Sequence, residues 1–163
     1  MTYLQAAIWH SLNHYAYGDA TFLAERLYTE LPTDDALHLL ATCYFRSDCV
    51  AQAYDLLSKH GAKTPKNRFL LAKCCQRLRK NAEAETILSC ACADQENDNP
   101  FAEAAPFALQ MLSGLYAQSE RCSLANECDR RALRPELYNI VECKHIAERE
   151  VLTTKLPCPL AKK

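Results

Sequence analysis

Glycine accounts for only three of the 163 residues of this sequence. Tight β-hairpin turns draw heavily on glycine, so its scarcity argues against a fold built from hairpins of strands. No stretch approaches the roughly 20 apolar residues of a membrane-spanning helix. No basic region precedes the apolar residues of the N-terminal segment, unlike in a secretory signal. We therefore expect an intracellular protein without a membrane span.

A dominant charge and a catalytic motif are also missing. The sequence has 19 basic and 20 acidic residues, so no overall field attracts nucleic acid or anionic lipid. It contains no glycine-rich phosphate loop, no HExxH and no GxSxG. His10 and His14 lie one helical turn apart, but no third metal ligand is near them in sequence, so we expect both at the surface. We predict a protein that is not an enzyme and has no cofactor, metal or nucleic-acid partner.

The ten cysteines follow neither a CxxC nor a zinc-finger spacing. Without a secretory signal, a disulfide framework is not expected. Reduced cysteine is among the most frequently buried residue types, so small core positions are the simplest explanation. We predict that Cys43, Cys74 and Cys75 are buried and reduced.

The sequence does contain a repeat. The segment 39–57 aligns without gaps on the segment 70–88, and eight of the nineteen aligned positions are identical. Alanine, leucine, glutamate and arginine are abundant, which favours helix. Self-similarity at a period of roughly 20–50 residues is typical of a solenoid.

Each copy has the pattern of a helical hairpin. In the better-defined copy, an apolar stripe with helical spacing precedes a turn at Ser47 and Asp48, and Asp48 is a candidate N-cap for the second helix. Small residues on the facing helices, such as Ala41 and Ala53, allow close packing. The stripes comprise Leu37, Leu40, Ala41, Tyr44, Ala53, Leu56 and Leu57, and in the next copy Leu71, Ala72, Cys75, Ala84, Ile87 and Leu88.

Two weaker copies flank this pair. The first has a predicted turn at Gly18 and Asp19, which aligns with the turn at Ser47 and Asp48. The last follows the third copy after a longer interval, and the polar segment 93–106 accounts for the extra length. We predict a repeat domain over 1–152, with hairpins at 5–31, 35–62, 66–92 and 106–134, a capping helix at 136–152 and a flexible tail at 153–163.

Each copy has a large residue followed by a small one, then an aromatic residue, a short turn and an alanine. This pattern resembles the tetratricopeptide repeat, whose usual period is about 34 residues. The resemblance implies an all-α, right-handed solenoid of about four helical hairpins plus the C-terminal capping helix. The departures from the usual period predict an irregular superhelix.

A closer resemblance lies in the stretches "AAIWHSLNHYAYGDATFLAERLY", "ALHLLATCYFRS" and "LLAKCCQRL". They are similar to the N-terminal region of the cell-division-cycle protein 27 family, the third subunit of the anaphase-promoting complex. That complex is a multi-subunit ubiquitin ligase of mitosis, in which this subunit is a scaffold. The resemblance implies a location in nucleus and cytoplasm, other repeat subunits as partners, and a homodimer formed by the N-terminal repeats. The family's second repeat array, which binds co-activator tails, is absent here. A fragment, a truncated product and a shorter homologue remain open.

The first predicted helix is apolar nearly all round, although no hairpin precedes it. An exposed apolar patch usually marks an interface, and tryptophan is a frequent anchor of interfaces. Alternatively, Trp9 folds back on its own second helix. We expect a homodimer interface formed by Leu4, Ile8, Trp9, Leu12 and Tyr15.

The first helices of the hairpins also carry residues outside the core stripe. These make a mildly basic surface with aromatic rings, which suits an acidic or extended peptide. A monomeric peptide-binding adaptor is therefore the alternative function, and the same surface could instead receive the partner's first helix or remain a solvated polar face. The predicted groove residues are His38, Phe45, Arg46, Phe69, Lys73, Gln76 and Arg77.

Overall fold

A computed structural model describes residues 3–89, 101 and 104–133. Within these ranges the chain is all-helical and contains no strand, which confirms the predicted fold class. No helix in this part is long and apolar enough to cross a membrane. The predicted capping helix lies outside the described residues. The helices are α1 (Tyr3–Asn13), α2 (Tyr17–Glu30), α3 (Asp34–Arg46), α4 (Val50–His60), α5 (Pro65–Arg77), α6 (Asn81–Ser89), α7 (Ala105–Gln118) and α8 (Cys122–Ala132).

Each helix packs against the next along the chain, and α3 also contacts α1 and α5. The first helices of successive hairpins are therefore neighbours on one side of the stack. Threonine side chains cap the N-termini of two of these helices. The Thr33 hydroxyl accepts a hydrogen bond from the Ala36 N–H, and the Thr64 hydroxyl accepts one from the Asn67 N–H. Such N-caps satisfy donors that the first helical turn leaves unpaired.

All four hairpins turn in the same way. One non-glycine residue at each turn has a φ of 60–65°. The N–H of the following residue donates to the carbonyl of the residue five positions earlier, at 2.9 Å in every case. This is the bond of a Schellman motif, which usually places glycine in the left-handed position. The four left-handed residues are Tyr15, Asp48, Arg79 and Glu120.

Two details of the sequence interpretation are wrong. Gly18 and Asp19 lie inside α2, because the first turn occurs at Tyr15 instead. Asp48 does not cap α4, since Cys49 occupies the N-cap position and its side chain forms no capping hydrogen bond. Tyr15 rather than Asp19 is thus the equivalent of Asp48. This alignment lengthens the interval between the first two hairpins and brings it close to the usual tetratricopeptide period.

The corrected alignment also explains how the two helices of each hairpin approach. Ala20, Ala53, Ala84 and Ala125 are equivalent on the second helices, and all are buried. A small side chain at this position lets the helices pack closely. On the first helices the equivalent residues are Ile8, Ala41, Ala72 and Ser113, which are also buried.

The core forms three clusters along the stack. One joins the first hairpin to α3, the second joins α3, α4 and α5, and the third spans α5 to α8. Tyr44 packs against the first two clusters while remaining half-buried. Its hydroxyl donates to Glu25 at 2.6 Å, so the ring links two hairpins and its polar end meets a surface carboxylate.

Replacing Arg79 by glycine is expected to raise the free energy of unfolding by about 0.5–1 kcal/mol. The left-handed conformation is strained for a residue with a Cβ, and this relief exceeds the entropy that glycine adds to the unfolded chain. Urea denaturation measures the change. Gly61→Ala is the matched control, since Gly61 also has a positive φ of 69° and should lose stability. A destabilised Arg79→Gly variant would contradict this reading of the turns.

The cysteines in the described ranges divide by burial. Cys43, Cys74, Cys75 and Cys128 are buried free thiols, as predicted for the first three. Burial is the main cause that raises the pKa of Cys43 and Cys74 to about 12 and that of Cys75 to about 11. These thiols therefore remain protonated at neutral pH and lack the nucleophilic form.

Alkylation of the native chain should separate these cysteines from the exposed ones. Cys49 and Cys122 are exposed, so we expect them to react at least about tenfold faster than Cys43 and Cys74, because the thiolate is the reactive species. Peptide mapping by mass spectrometry after brief treatment with iodoacetamide reads each site. In denaturant the difference should vanish. Equal rates in the native chain would show that the buried sites open freely.

Candidate interaction surfaces

All seven predicted groove residues lie on the first helices of two neighbouring hairpins. His38, Phe45 and Arg46 lie on α3, and Phe69, Lys73, Gln76 and Arg77 lie on α5. We call this set, together with Trp9 of α1, the first-helix surface. Its three cations share one arrangement that the sequence did not predict.

Each of these cations lies over an aromatic ring. The Arg46 guanidinium is 5.9 Å from the centre of the Trp9 ring, and that of Arg77 is 5.7 Å from Phe45. The Lys73 ammonium is 4.9 Å from the Phe69 ring. Such distances allow cation–π attraction of about 0.5–1 kcal/mol at exposed sites. The result is a row of cations along α3 and α5.

Only part of this charge is neutralised by the chain itself. Arg77 donates to the Asp48 carboxylate at 2.5 Å. No carboxylate in the described ranges forms an ion pair with Arg46 or Lys73. Both cations are exposed, as is Gln76. The surface therefore offers positive charge and flat apolar rings to a ligand.

His38 stands apart from the row of cations. Its Nδ1 lies 2.9 Å from the side-chain oxygen of Asn67, a residue that the sequence interpretation missed because asparagine on a helix carries no distinct signal. The pKa of His38 is lowered, first by burial and further by Lys66, against the opposing effects of Asn67 and Asp35. The imidazole is thus neutral at pH 7, and His38 does not contribute to the positive charge.

The five residues predicted to form a dimer interface on the first hairpin differ in their exposure. Ile8 and Leu12 are 0% and 1% exposed, since they pack in the core with α2 and α3. The expectation that these two side chains form an outer surface is wrong. Leu4 and Trp9 are half-buried, and Tyr15 is 78% exposed. The dimer prediction for these three residues stays a prediction.

Other apolar residues of the first hairpin are exposed as well. Tyr3 is 92% exposed and Phe22 is 64% exposed. Phe22 lies on α2, the helix onto which Trp9 folds back in the alternative to the dimer. The sequence interpretation missed Tyr3 because an aromatic residue at a helix start has no core periodicity to break. Together with Tyr15, they are the aromatic side chains with the highest exposed fractions in the described part of the chain.

His10 and His14 lie at the surface, as expected. The centres of their rings lie 4.2 Å apart with the ring planes tilted by 40°, and His14 Nδ1 is 2.8 Å from the His10 carbonyl oxygen. No group of three potential metal ligands occurs within the described ranges. The two rings contact each other at the C-terminal end of α1.

Comparisons with known proteins match this architecture. Residues 13–91 match the family model described as anaphase-promoting complex, cyclosome, subunit 3. The human cell division cycle protein 27 homolog is 46% identical over 135 residues, covering 80% of this chain and 16% of that protein. Homolog A of Arabidopsis thaliana is 33% identical over 121 residues, covering 74% of this chain and 16% of that protein.

Two solved structures share the fold. A structure described as the Cdc27 N-terminus matches with a TM-score of 0.72 at 17% identity, covering 98% of this chain and 69% of that chain. A chain of the structure described as the APC/C hetero-tetramer Cut9–Hcn1 matches with a TM-score of 0.78 at 20% identity, covering 95% of this chain and 29% of that chain. The chain spans about one sixth of the length of the human and Arabidopsis homologs. It is a tetratricopeptide-repeat protein related to the N-terminal region of cell division cycle protein 27 and to subunit 3 of the anaphase-promoting complex.

Proposed function

We propose that the chain is a non-catalytic scaffold that forms a homodimer through its first hairpin and packs against other repeat subunits of an anaphase-promoting complex. In this role it helps to organise a ubiquitin ligase of mitosis and works in the nucleus and cytoplasm. The similarity to cell division cycle protein 27 over 80% of the chain supports the complex as the place of action.

The observation that carries the dimer is the exposed apolar surface of the first hairpin. Tyr3, Tyr15 and Phe22 are more than half exposed, and Leu4 and Trp9 of the same hairpin are half-buried. An exposed apolar patch on a folded chain usually marks an interface. A second copy offers the same apolar surface, and a twofold arrangement is the common solution for a self-complementary patch.

Co-expression of a tagged and an untagged copy tests self-association directly. We expect the untagged chain to be retained on the affinity resin with the tagged one. The tagged chain should also retain repeat subunits of the anaphase-promoting complex from dividing cells, identified by mass spectrometry. A tagged chain carrying Leu124→Ala is the matched control, because Leu124 is exposed on α8 at the other end of the described stack. If neither the unsubstituted tagged chain nor the Leu124→Ala chain retains the untagged copy, the dimer is rejected.

The row of cations on the first-helix surface favours a second candidate, an adaptor for an acidic, extended peptide. Arg46 and Lys73 have no acidic partner in the described ranges and stand over aromatic rings. A fluorescent glutamate-rich peptide should then bind with an affinity that falls as salt rises. Arg46→Gln with Lys73→Gln should weaken that binding, whereas Arg26→Gln on α2 should not. Equal weakening by both variants would indicate only a general charge effect.

A further inference from the structure

The second helices of the first two hairpins end differently. Tyr15 and Asp48 occupy equivalent left-handed positions in the two turns, so Tyr28 near the end of α2 is equivalent to Gly61 after α4. α2 continues past Tyr28, whereas α4 ends at the residue before Gly61, which has a positive φ of 69°. At this place the second hairpin therefore lacks both the last helical turn and the aromatic side chain of the first.

Tyr28 fills a place between neighbouring hairpins. Its half-buried ring packs against two core clusters, one joining the first hairpin to α3 and the other joining α3, α4 and α5. The ring also meets His60 of α4 edge-on, with 5.6 Å between the ring centres, and the hydroxyl oxygen lies 3.2 Å from His60 Nδ1. A tyrosine at this place thus combines apolar contacts of its ring with a hydrogen bond of its hydroxyl.

The equivalent place between the next two hairpins is an open cavity of about 400 Å³, which we call the Gly61 cavity. Gly61 and Leu71 line it, and Leu71 is equivalent to Leu40, a member of the core cluster on which Tyr28 packs. A Cβ added to Gly61 would meet no atom within 4 Å, so the space beside this residue is open. The cavity therefore lies where the second hairpin has no counterpart of the Tyr28 ring.

The walls of the Gly61 cavity are held by contacts within the chain. The Tyr54 hydroxyl of α4 donates to the Glu83 carboxylate of α6 at 2.8 Å. The Lys80 ammonium lies 3.8 Å from the centre of the Tyr54 ring and 3.7 Å from the Glu83 carboxylate. The cavity is thus formed without a ligand, and its volume lies in the range of about 300–1,000 Å³ that is usual for ligand sites.

The polar lining favours a neutral group that donates a hydrogen bond. Glu83 is the one charged residue among the lining residues, so the rim repels an anionic ligand. The Thr86 hydroxyl donates to the Ala82 carbonyl at 2.9 Å, and its oxygen can still accept. A phenol hydroxyl suits these acceptors, whereas a phosphate or a carboxylate does not. Shape and polarity together match tyrosine, the side chain that fills the preceding place.

We propose that the Gly61 cavity is a docking site for a tyrosine side chain of a partner protein, which takes the place there that Tyr28 takes between α2 and α4. The docked ring lies against Leu71 and Ile87, and its hydroxyl faces Thr86. The cavity is lined mainly by second helices and so lies apart from both the first-helix surface and the first hairpin. This inference does not rest on the homodimer, since a monomer presents the same cavity.

Methyl NMR of the whole chain with labelled isoleucines tests the site, and N-acetyl-L-tyrosine amide is the probe. Ile87 lines the cavity and Ile8 is buried in the first hairpin, so a docked ring should shift the Ile87 methyl signal alone of these two. The probe makes few contacts, so we expect a dissociation constant on the order of 1 mM. The corresponding leucine amide should bind at least about threefold more weakly, and the O-phosphorylated tyrosine amide should give no shift. An unshifted Ile87 signal with the tyrosine probe would overturn the proposal.

A variant that fills the cavity provides the matched comparison. Ser58 is an exposed residue of α4 that lines the cavity, so the ring of Ser58→Phe takes volume that the probe needs and should weaken binding at least about tenfold. Gln52→Phe adds the same ring at an exposed position of α4 outside the cavity and should leave binding unchanged. Circular dichroism checks that both variants are folded. Equal binding to the two variants would overturn the proposal.

Sedimentation equilibrium of Ser58→Phe separates a partner protein from a second copy of this chain. The first hairpin exposes Tyr3 and Tyr15, so a second copy also presents tyrosine side chains. We expect Ser58→Phe to show the same dependence of mass on concentration as the unsubstituted chain. Loss of self-association in Ser58→Phe but not in Gln52→Phe would show that a second copy fills the cavity, and it would overturn the assignment to a separate partner.

Discussion

Ile8→Ala is expected to lower the free energy of unfolding by about 2–5 kcal/mol. Ile8 has no solvent exposure and packs between α2 and α3. At the equivalent position the later hairpins carry Ala41, Ala72 and Ser113. The first hairpin is therefore shaped around a larger side chain, and truncation leaves a cavity that the neighbouring helices can close only in part.

Denaturant unfolding at one fixed protein concentration measures this loss, because self-association adds concentration dependence to apparent stability. His10→Ala is the matched control, since His10 is exposed on the same helix and its loss should change stability by no more than about 0.5 kcal/mol. A change of similar size in both variants would mean that α1 is not packed as described.

Trp9→Ala combined with Tyr15→Ala is expected to give a folded monomer. Fully burying a large apolar side chain contributes about 1.5–3 kcal/mol, and the loss of translational freedom on association offsets part of this gain. Both copies contribute the same residues, so each substitution acts twice and the dimer should weaken by several orders of magnitude. Light scattering at micromolar concentration measures the mass, and circular dichroism checks that the helix content is unchanged.

Two outcomes would count against this interface. If the variant remains dimeric, other residues hold the copies together. If it unfolds, Trp9 belongs to the core through its packing on α3 and the contact with Arg46. Arg46→Ala separates these cases, because it removes the cation–π contact inside the chain and leaves the Trp9 ring in place.

The two central hairpins were predictable because the sequence repeats itself there. Eight identical positions align Cys43 with Cys74 and Ala53 with Ala84, and identical residues at one spacing mark equivalent places in a stack. The burial of Cys43 and Cys74 agrees with this equivalence, whereas Cys75, which aligns with Tyr44, was expected to be buried from its residue type alone. The order of helices and the turn at Asp48 followed from apolar spacing alone.

The first turn was not predictable in the same way. Gly18 is the residue that a turn would be expected to use, yet the chain places Tyr15 in the left-handed conformation and continues α2 through Gly18. The hairpin's backbone bond from Ala16 to Ser11 recurs in all four hairpins and outweighs the local preference for glycine. The turn propensity of a residue depends on that residue alone, whereas the position of this turn is set by how the two helices pack.

The interaction surfaces were predictable only in part. Helical spacing placed Arg46 and Arg77 at equivalent positions, but it did not reveal that each lies over an aromatic ring of the preceding first helix. An apolar helix can likewise face the core or a partner, and its sequence looks the same in both cases. This ambiguity is why Ile8 and Leu12 were assigned to an outer surface although both are core residues.

Sedimentation equilibrium of the unsubstituted chain over a wide concentration range tests the dimer most directly. We predict a mass that approaches twice the monomer value of 18.4 kDa as concentration rises, with a dissociation that Trp9→Ala shifts to higher concentration. A mass that stays at 18.4 kDa at every concentration would contradict the proposal that the first hairpin joins two copies.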